Sequence, residues 1–141
     1  MADLSCIPKF VKQEIVNGWV GEAWKLMLLS KDHVPNPGTQ QYISQVSNYE
    51  ITDAAGKYPP GGVSVGTKAC LADGNNYYLD MDDVTIGPGS YLTFQYIVLY
   101  KDTGNPATSP IRVQIDMLTD QVVTNGTCVI HWDINGVIYI Q

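Results

Sequence analysis

Histidine is the side chain best suited to acid–base or nucleophilic chemistry at neutral pH, and the sequence has two, His33 and His131. A nucleophilic triad would need one of them beside an activated serine or cysteine and an orienting carboxylate. The one Gly-x-Ser-x-Gly match, Gly62 to Gly66, starts a predicted alternating strand and lacks the strand-to-helix turn of a nucleophile elbow. Strand alternation places His131 on the face opposite Ile130 and Trp132, toward solvent or a neighbouring sheet. We therefore predict that the chain is not an enzyme, and we name no catalytic residue.

The densest acidic patch is Asp80-Met81-Asp82-Asp83, preceded by Asp73. With Asn75 and Asn76 nearby, it has the hard oxygen atoms that calcium prefers. The spacing does not match the alternating ligands, glycine and terminal glutamate of an EF-hand loop. The other interpretation is a solvated strand edge whose charges discourage unwanted pairing. We adopt that interpretation and predict no metal site.

Other residue types give no firmer indication of chemistry. The three glutamates, Glu14, Glu22 and Glu50, cannot be placed as a facing carboxylate pair, and Gly61-Gly62 lacks the strand-to-helix setting of a phosphate loop. Asn125-Gly126-Thr127 fits a glycosylation site but is more simply a turn. Some aromatic side chains could stack on sugars, but cross-strand packing needs no special assumption and is the favoured interpretation: Tyr77, Tyr78, Trp132 and Tyr139. We predict no cofactor and no small-molecule substrate.

Composition excludes several classes of partner. The net charge is −6, and the eight Lys and Arg residues form no cluster, so we expect no nucleic-acid binding. No apolar run approaches the roughly 20 residues of a membrane span, and the first residues do not resemble a secretory signal. Cys6, Cys70 and Cys128 are widely separated, without the spacing of a zinc site. We expect reduced, mostly buried thiols and synthesis in a cytoplasm.

The elements that must position these residues are mostly strands. Seven or eight short apolar or alternating segments, separated by Gly, Pro and Asn, predict a mainly-β chain. The strongest is Leu92 to Tyr100, which is nearly apolar on both faces and therefore central. Asn135-Gly136 predicts a terminal hairpin over about residues 126–140. We predict a single β-sandwich or jelly-roll-like domain over residues 1–141, with one N-terminal amphipathic helix.

The N-terminal helix is predicted over about residues 5–17, with Ser5 as N-cap and Asn17-Gly18 as the stop. Its apolar residues fall on one face: Ile7, Phe10, Val11 and Ile15. We expect this stripe to pack on a sheet. The alternative is that it covers a partner.

The order of several segments resembles small virion proteins of tailed bacteriophages. The matching pieces are Asn17-Gly18, the Lys25–Ser30 strand, Tyr42 to Val46, Gly61-Gly62-Val63, Leu79 to Thr85, Tyr96 to Gly104, Pro110-Ile111 and Asn125 to Asp133. Together they cover nearly the whole chain. Proteins of this class include head decoration proteins and tail components, so the resemblance carries over no catalytic residues.

The resemblance implies a virion protein assembled in the host cytoplasm. We expect a capsid decoration or cement protein that binds the outside of the head, with the major capsid protein and copies of itself as partners. The alternative is a tail or baseplate-associated receptor-binding module that acts through its loops, residues 31–39, 54–62 and 101–110.

Overall fold

A computed structural model describes residues 8–132 and the backbone of residues 138–140. In chain order the elements are α1 (Lys9–Val20), β1 (Trp24–Leu29), β2 (Val63–Ser64), β3 (Lys68–Asp73), β4 (Asn76–Met81), β5 (Val84–Lys101), β6 (Ile111–Ile130) and β7 (Ile138–Ile140). Three single 3₁₀ turns lie at Ile43–Gln45, Ser47–Tyr49 and Pro106–Thr108. The predicted mainly-β fold class with one N-terminal α-helix is confirmed.

The strands form two antiparallel sheets, which is compatible with a sandwich or jelly roll. One has four strands in the order β2-β1-β5-β6, and the other has three in the order β3-β4-β7. The described chain divides into two compact units. The first comprises residues 8–22, 66–83, 131–132 and 138–140, and the second comprises residues 23–65 and 84–130. The extent of a single domain over residues 1–141 stays a prediction.

Strand β5 occupies the centre of the four-stranded sheet, as its sequence predicts. It pairs with β1 through Trp24↔Lys101 to Leu29↔Tyr96, and with β6 along almost its whole length. Every residue from Tyr96 to Tyr100 is buried, which explains why this stretch is apolar on both faces. One face packs into a core of Met27, Leu29, Ile43, Val46, Tyr96, Val98 and Tyr100.

The β5–β6 ribbon contains a wide irregularity near its middle. Phe94 pairs with Gln121 and Tyr96 pairs with Asp116, so Gln95 alone lies opposite residues 117–120. Leu118 has a left-handed backbone, with φ at 71°, and its amide donates to Oδ1 of Asp116 over 2.7 Å. The strand predicted to begin at Ile111 is therefore longer than the sequence indicates: β6 continues beyond this bulge to Ile130.

The predicted terminal hairpin is wrong in its strand pairing. Residues 126–130 pair with β5, through Ser90↔Gly126 and Val84↔Ile130. Strand β7 instead pairs with β4, through Leu79↔Ile138 and Tyr77↔Ile140. The local Asn135-Gly136 signal was outweighed because β5 is long enough to pair β6 to its last residue. The turn itself lies outside the described residues.

The helix differs from its prediction at both ends. It begins at Lys9, after Pro8, and continues through Gly18 to Val20. The predicted N-cap Ser5 and the apolar Ile7 lie outside the described residues. A glycine costs about 1 kcal/mol inside a helix, which tertiary contacts readily outweigh. Here Val16 is fully buried and Trp19 and Val20 are half-buried, so packing extends the helix past the predicted stop. Within the described residues, no helix has the length and hydrophobicity that a membrane span requires.

Candidate functional site

Helix α1 turns its apolar stripe outward. Phe10 is 74% exposed, Val11 41% and Ile15 37%, whereas Lys12 and Val16 are buried. The expectation that this stripe packs on a sheet is therefore wrong for these three residues. A folded chain normally covers such a stripe, and a contiguous exposed apolar patch marks an interaction site.

A buried lysine determines which side of the helix faces inward. The Lys12 ammonium donates to the backbone carbonyl of Asn75 over 3.2 Å and to Oδ1 of Asn76 over 3.0 Å. Both acceptors lie at the turn between β3 and β4. The aliphatic stem of a lysine can be buried when its charged head finds partners. Sequence patterning missed this residue because it counts lysine as a solvent-facing residue.

Two further positions belong to the same outer surface. Glu14 and Gly18 are exposed and lie one and two turns after Phe10. An added Cβ at Gly18 would meet no atom within 4 Å, so nothing inside the described chain requires glycine there. We call Phe10, Val11, Glu14, Ile15 and Gly18 the α1 outer face. It presents apolar side chains around one carboxylate, with a flat position that permits close approach.

The acidic patch is used within its own unit. Oδ2 of Asp82 accepts a hydrogen bond from the Thr67 amide over 3.0 Å, and the Trp132 indole donates to the Asp82 carbonyl over 2.9 Å. Oδ2 of Asp83 lies 2.7 Å from Nδ1 of His131, whose side chain is exposed as predicted. Among the described residues, no group of three potential metal ligands comes together.

His33 is a core residue. It is 1% exposed, its Nε2 is hydrogen-bonded to Oε1 of Gln114 over 2.7 Å, and its ring packs against Tyr49 and Tyr96. Its Nδ1 has no hydrogen-bond partner. No serine or cysteine nucleophile is hydrogen-bonded to either described histidine ring. His33 belongs to the second unit and His131 to the first.

Loops 54–62 and 101–110 meet in one cleft of about 330 Å³. Its lining residues are Lys25, Met27, Ile43, Ser47, Glu50, Gly61, Tyr100, Asp102, Gly104, Pro106 and Ser109. The third predicted loop, residues 31–39, borders a different cleft of about 360 Å³ beside the start of β6. Two of the three loops of the receptor-binding alternative are therefore neighbours, and the third is separate.

Two of the charged groups that line the 330 Å³ cleft form an ion pair. The Lys25 ammonium lies 3.3 Å from Oδ2 of Asp102. A hydrogen bond from the Gly104 amide, with a smaller contribution from Lys25, holds the pKa of Asp102 below its usual value against the opposing effect of burial. Burial, then the charges of Asp102 and Glu50, raise the pKa of Tyr100 to about 12. The Tyr100 phenol remains protonated at neutral pH and donates to the Gly61 carbonyl.

Glu50 closes one side of that cleft and holds its loop in place. Its carboxylate accepts a hydrogen bond from the Tyr58 phenol over 2.7 Å and from the Gly61 amide over 3.0 Å. The Tyr58 oxygen accepts from the Leu28 amide, and burial is the main cause that raises the Tyr58 pKa. No sequence signal marked this network, because no motif relates its members, which lie 8, 11 and 30 positions apart. The network joins the loop to β1.

The arrangement thus provides surfaces for recognition, with the α1 outer face as the candidate site. No family model, no curated protein and no solved structure matches this chain. We therefore infer its function from the geometry and the sequence.

Proposed function

We propose that this chain is a structural protein of a bacteriophage virion that binds the outside of the head and stabilises it as a decoration or cement protein. The observation that supports it is the α1 outer face, where Phe10, Val11 and Ile15 are exposed on a regular helix. An exposed phenylalanine flanked by aliphatic side chains is a typical interaction anchor. The partners would be the major capsid protein and further copies of the chain.

Binding of this kind stabilises a shell by mass action. A protein that binds only the assembled capsid lowers the free energy of that state relative to dissociated subunits. Many symmetry-related sites on one particle multiply the effect. The decoration function requires protein–protein contact and no chemistry, which agrees with the Lys25–Asp102 ion pair and the hydrogen-bonded Glu50 carboxylate of the 330 Å³ cleft.

The first experiment locates the protein on particles. Labelling it on intact virions of the phage that encodes it should decorate the heads uniformly in electron micrographs. Label confined to the tail would contradict the decoration proposal.

The second experiment tests the surface. Phe10→Glu should lower co-sedimentation of the full chain with heads by at least about tenfold, because anchors of this size contribute about 1.4 kcal/mol or more. The substitution should leave the melting temperature nearly unchanged, since Phe10 is 74% exposed. The matched control is Leu118→Glu at a residue that is 79% exposed in the other unit. Equal binding by both variants would exclude the α1 outer face.

A tail or baseplate-associated receptor-binding module is the second candidate. The observation that favours it is the cleft between loops 54–62 and 101–110, with the Lys25–Asp102 pair at its wall. Tail label together with weaker adsorption to host cells on Lys25→Ala would support this function. Head label with unchanged adsorption would exclude it.

A further inference from the structure

Strand β6 forms one edge of the four-stranded sheet. Its only partner strand in the described chain is β5. The opposite side of an edge strand presents N–H and C=O groups that can pair with another strand. The question is which part of β6 is open and what fits it.

The first part of β6 is covered by another segment of the same unit. The Ile111 amide donates to the carbonyl of Gln41 over 2.8 Å, and Tyr42 forms a bridge with Pro110. The side chain of Gln114 is hydrogen-bonded to His33 and Gln40. Among residues 8–132 and 138–140, no comparable backbone contact covers residues 121–130, which we call the open edge.

The open edge lacks the charged and proline residues that protect many edge strands against pairing. Residues 121–130 contain no Asp, Glu, Lys, Arg or Pro. Natural edge strands are commonly protected by such residues. The whole chain carries a net charge of −6, so two copies repel each other least where their surfaces are neutral. An uncharged edge therefore favours a second copy of the same acidic chain.

The side chains of the open edge are arranged so that it can pair with itself. Val122, Thr124, Thr127 and Val129 are exposed, whereas Val123, Gly126 and Cys128 are half-buried and Ile130 is buried. The alternation shifts at Asn125, where φ is 48° and the pairing jumps from Gly126↔Ser90 to Thr124↔Tyr91. Val122 and Val129 therefore face the same side although seven positions separate them.

We propose that two copies pair antiparallel through their open edges, about a two-fold axis between Asn125 and Gly126. Val122 then lies opposite Val129 of the second copy, and Thr124 lies opposite Thr127. Such β-branched and threonine pairs are favourable cross-strand neighbours. No two like charges oppose each other, and the two four-stranded sheets become one sheet across the dimer.

This dimer would provide the contact between copies of the proposed virion protein. Its biological role rests on the proposed function, but its existence does not. It is tested on the purified chain without capsids. Capsid binding by a monomer would overturn the dimer alone, and a dimer that does not bind heads would overturn the virion function alone.

The first test measures molar mass by light scattering. The unmodified chain should show about twice its 15.5 kDa. The double variant V122K/V129K opposes lysines at both cross-strand pairs and should halve the mass. V122K/V129E opposes lysine to glutamate in the same register and should restore the dimer.

The control for these variants is Leu71→Lys, which adds a lysine to a different edge strand, β3, and should leave the dimer intact. A monomeric unmodified chain would overturn the proposal. So would loss of the dimer in Leu71→Lys, or failure of V122K/V129E to dimerise while the variant remains folded by circular dichroism.

The second test uses the native thiol of Cys128, which would lie opposite Val123 of the second copy. Val123→Cys should give a disulfide-linked dimer on oxidation, since directly opposite residues come within bonding range. Positions 123 and 128 of one strand are too far apart to bridge within a chain. The link should vanish in V123C/C128S and be absent in Val122→Cys, whose side chain points to the other face. Equal linking by both single variants would overturn the register.

Discussion

The Tyr58 hydroxyl donates a hydrogen bond to Oε2 of Glu50 over 2.7 Å, while its oxygen accepts one from the Leu28 amide over 2.9 Å. Tyr58 is 3% exposed. One phenol therefore satisfies a carboxylate and a backbone amide of β1 together. This links the loop that contains Pro59 and Pro60 to the four-stranded sheet.

Tyr58→Phe should destabilise the protein by about 1–3 kcal/mol, because the Leu28 amide loses its acceptor and Glu50 loses a donor. Urea unfolding gives the free energy directly. Tyr91→Phe is the matched control, since that tyrosine is 48% exposed. Equal stabilities of the two variants would show that the Tyr58 hydrogen bonds contribute nothing.

Asp53 should make the protein sensitive to acid. Burial raises its pKa, but hydrogen bonds from the amides of Tyr91, Ala55, Lys57 and Tyr58 together lower it below the usual value. A carboxyl with a lowered folded pKa stabilises the fold above its unfolded pKa, about 4. That contribution is lost as the pH falls through the folded value. Asp53→Asn should therefore flatten the dependence of stability on pH below about 4, as measured by urea unfolding across that window. An unchanged slope would contradict this role.

Gly62→Ala should be strongly destabilising. Gly62 has φ at 97°, and an added Cβ would lie 2.0 Å from the Leu26 carbonyl oxygen in β1. We expect a loss of about 2–4 kcal/mol from the strained backbone and the clash. Gly56→Ala separates the two causes, because φ is 72° there but no atom lies within 4 Å. It should cost only about 1–2 kcal/mol. Thermal unfolding of both variants provides the comparison, and equal losses would exclude the clash.

Lys12→Met should weaken the attachment of α1 to the β3–β4 turn. The methionine keeps the buried stem but removes the donor to Asn75 and Asn76, at a cost of about 1–3 kcal/mol. Hydrogen exchange of the α1 amides should accelerate accordingly. Lys31→Met, at an exposed lysine, is the control. Unchanged exchange in Lys12→Met would mean that the helix is held by Val16 and its other apolar contacts alone.

Strand β5 could be predicted from the sequence because burial on both faces requires a continuous apolar run, and residues 96–100 have one. The orientation of α1 could not be predicted. Hydrophobicity predicts that Ile15 is buried and Lys12 exposed, and the structure has the reverse. The strand pairing of residues 126–130 could not be predicted either. An Asn-Gly turn is a local sequence signal, whereas pairing with β5 joins residues that are far apart in sequence. The Glu50–Tyr58 network had no signal at all. Its groups come together only after the chain has folded.

The pairing of β7 with β4 has a consequence for synthesis on the ribosome. The three-stranded sheet needs residues 138–140 beside residues 77–79, whereas the four-stranded sheet is complete once residue 130 has been made. Domains generally fold as units during translation. The second unit can therefore fold first, whereas the sheet of β3 and β4 is complete only after β7 has been synthesised. Proteolysis of stalled nascent chains should find residues 84–101 protected before residues 68–81.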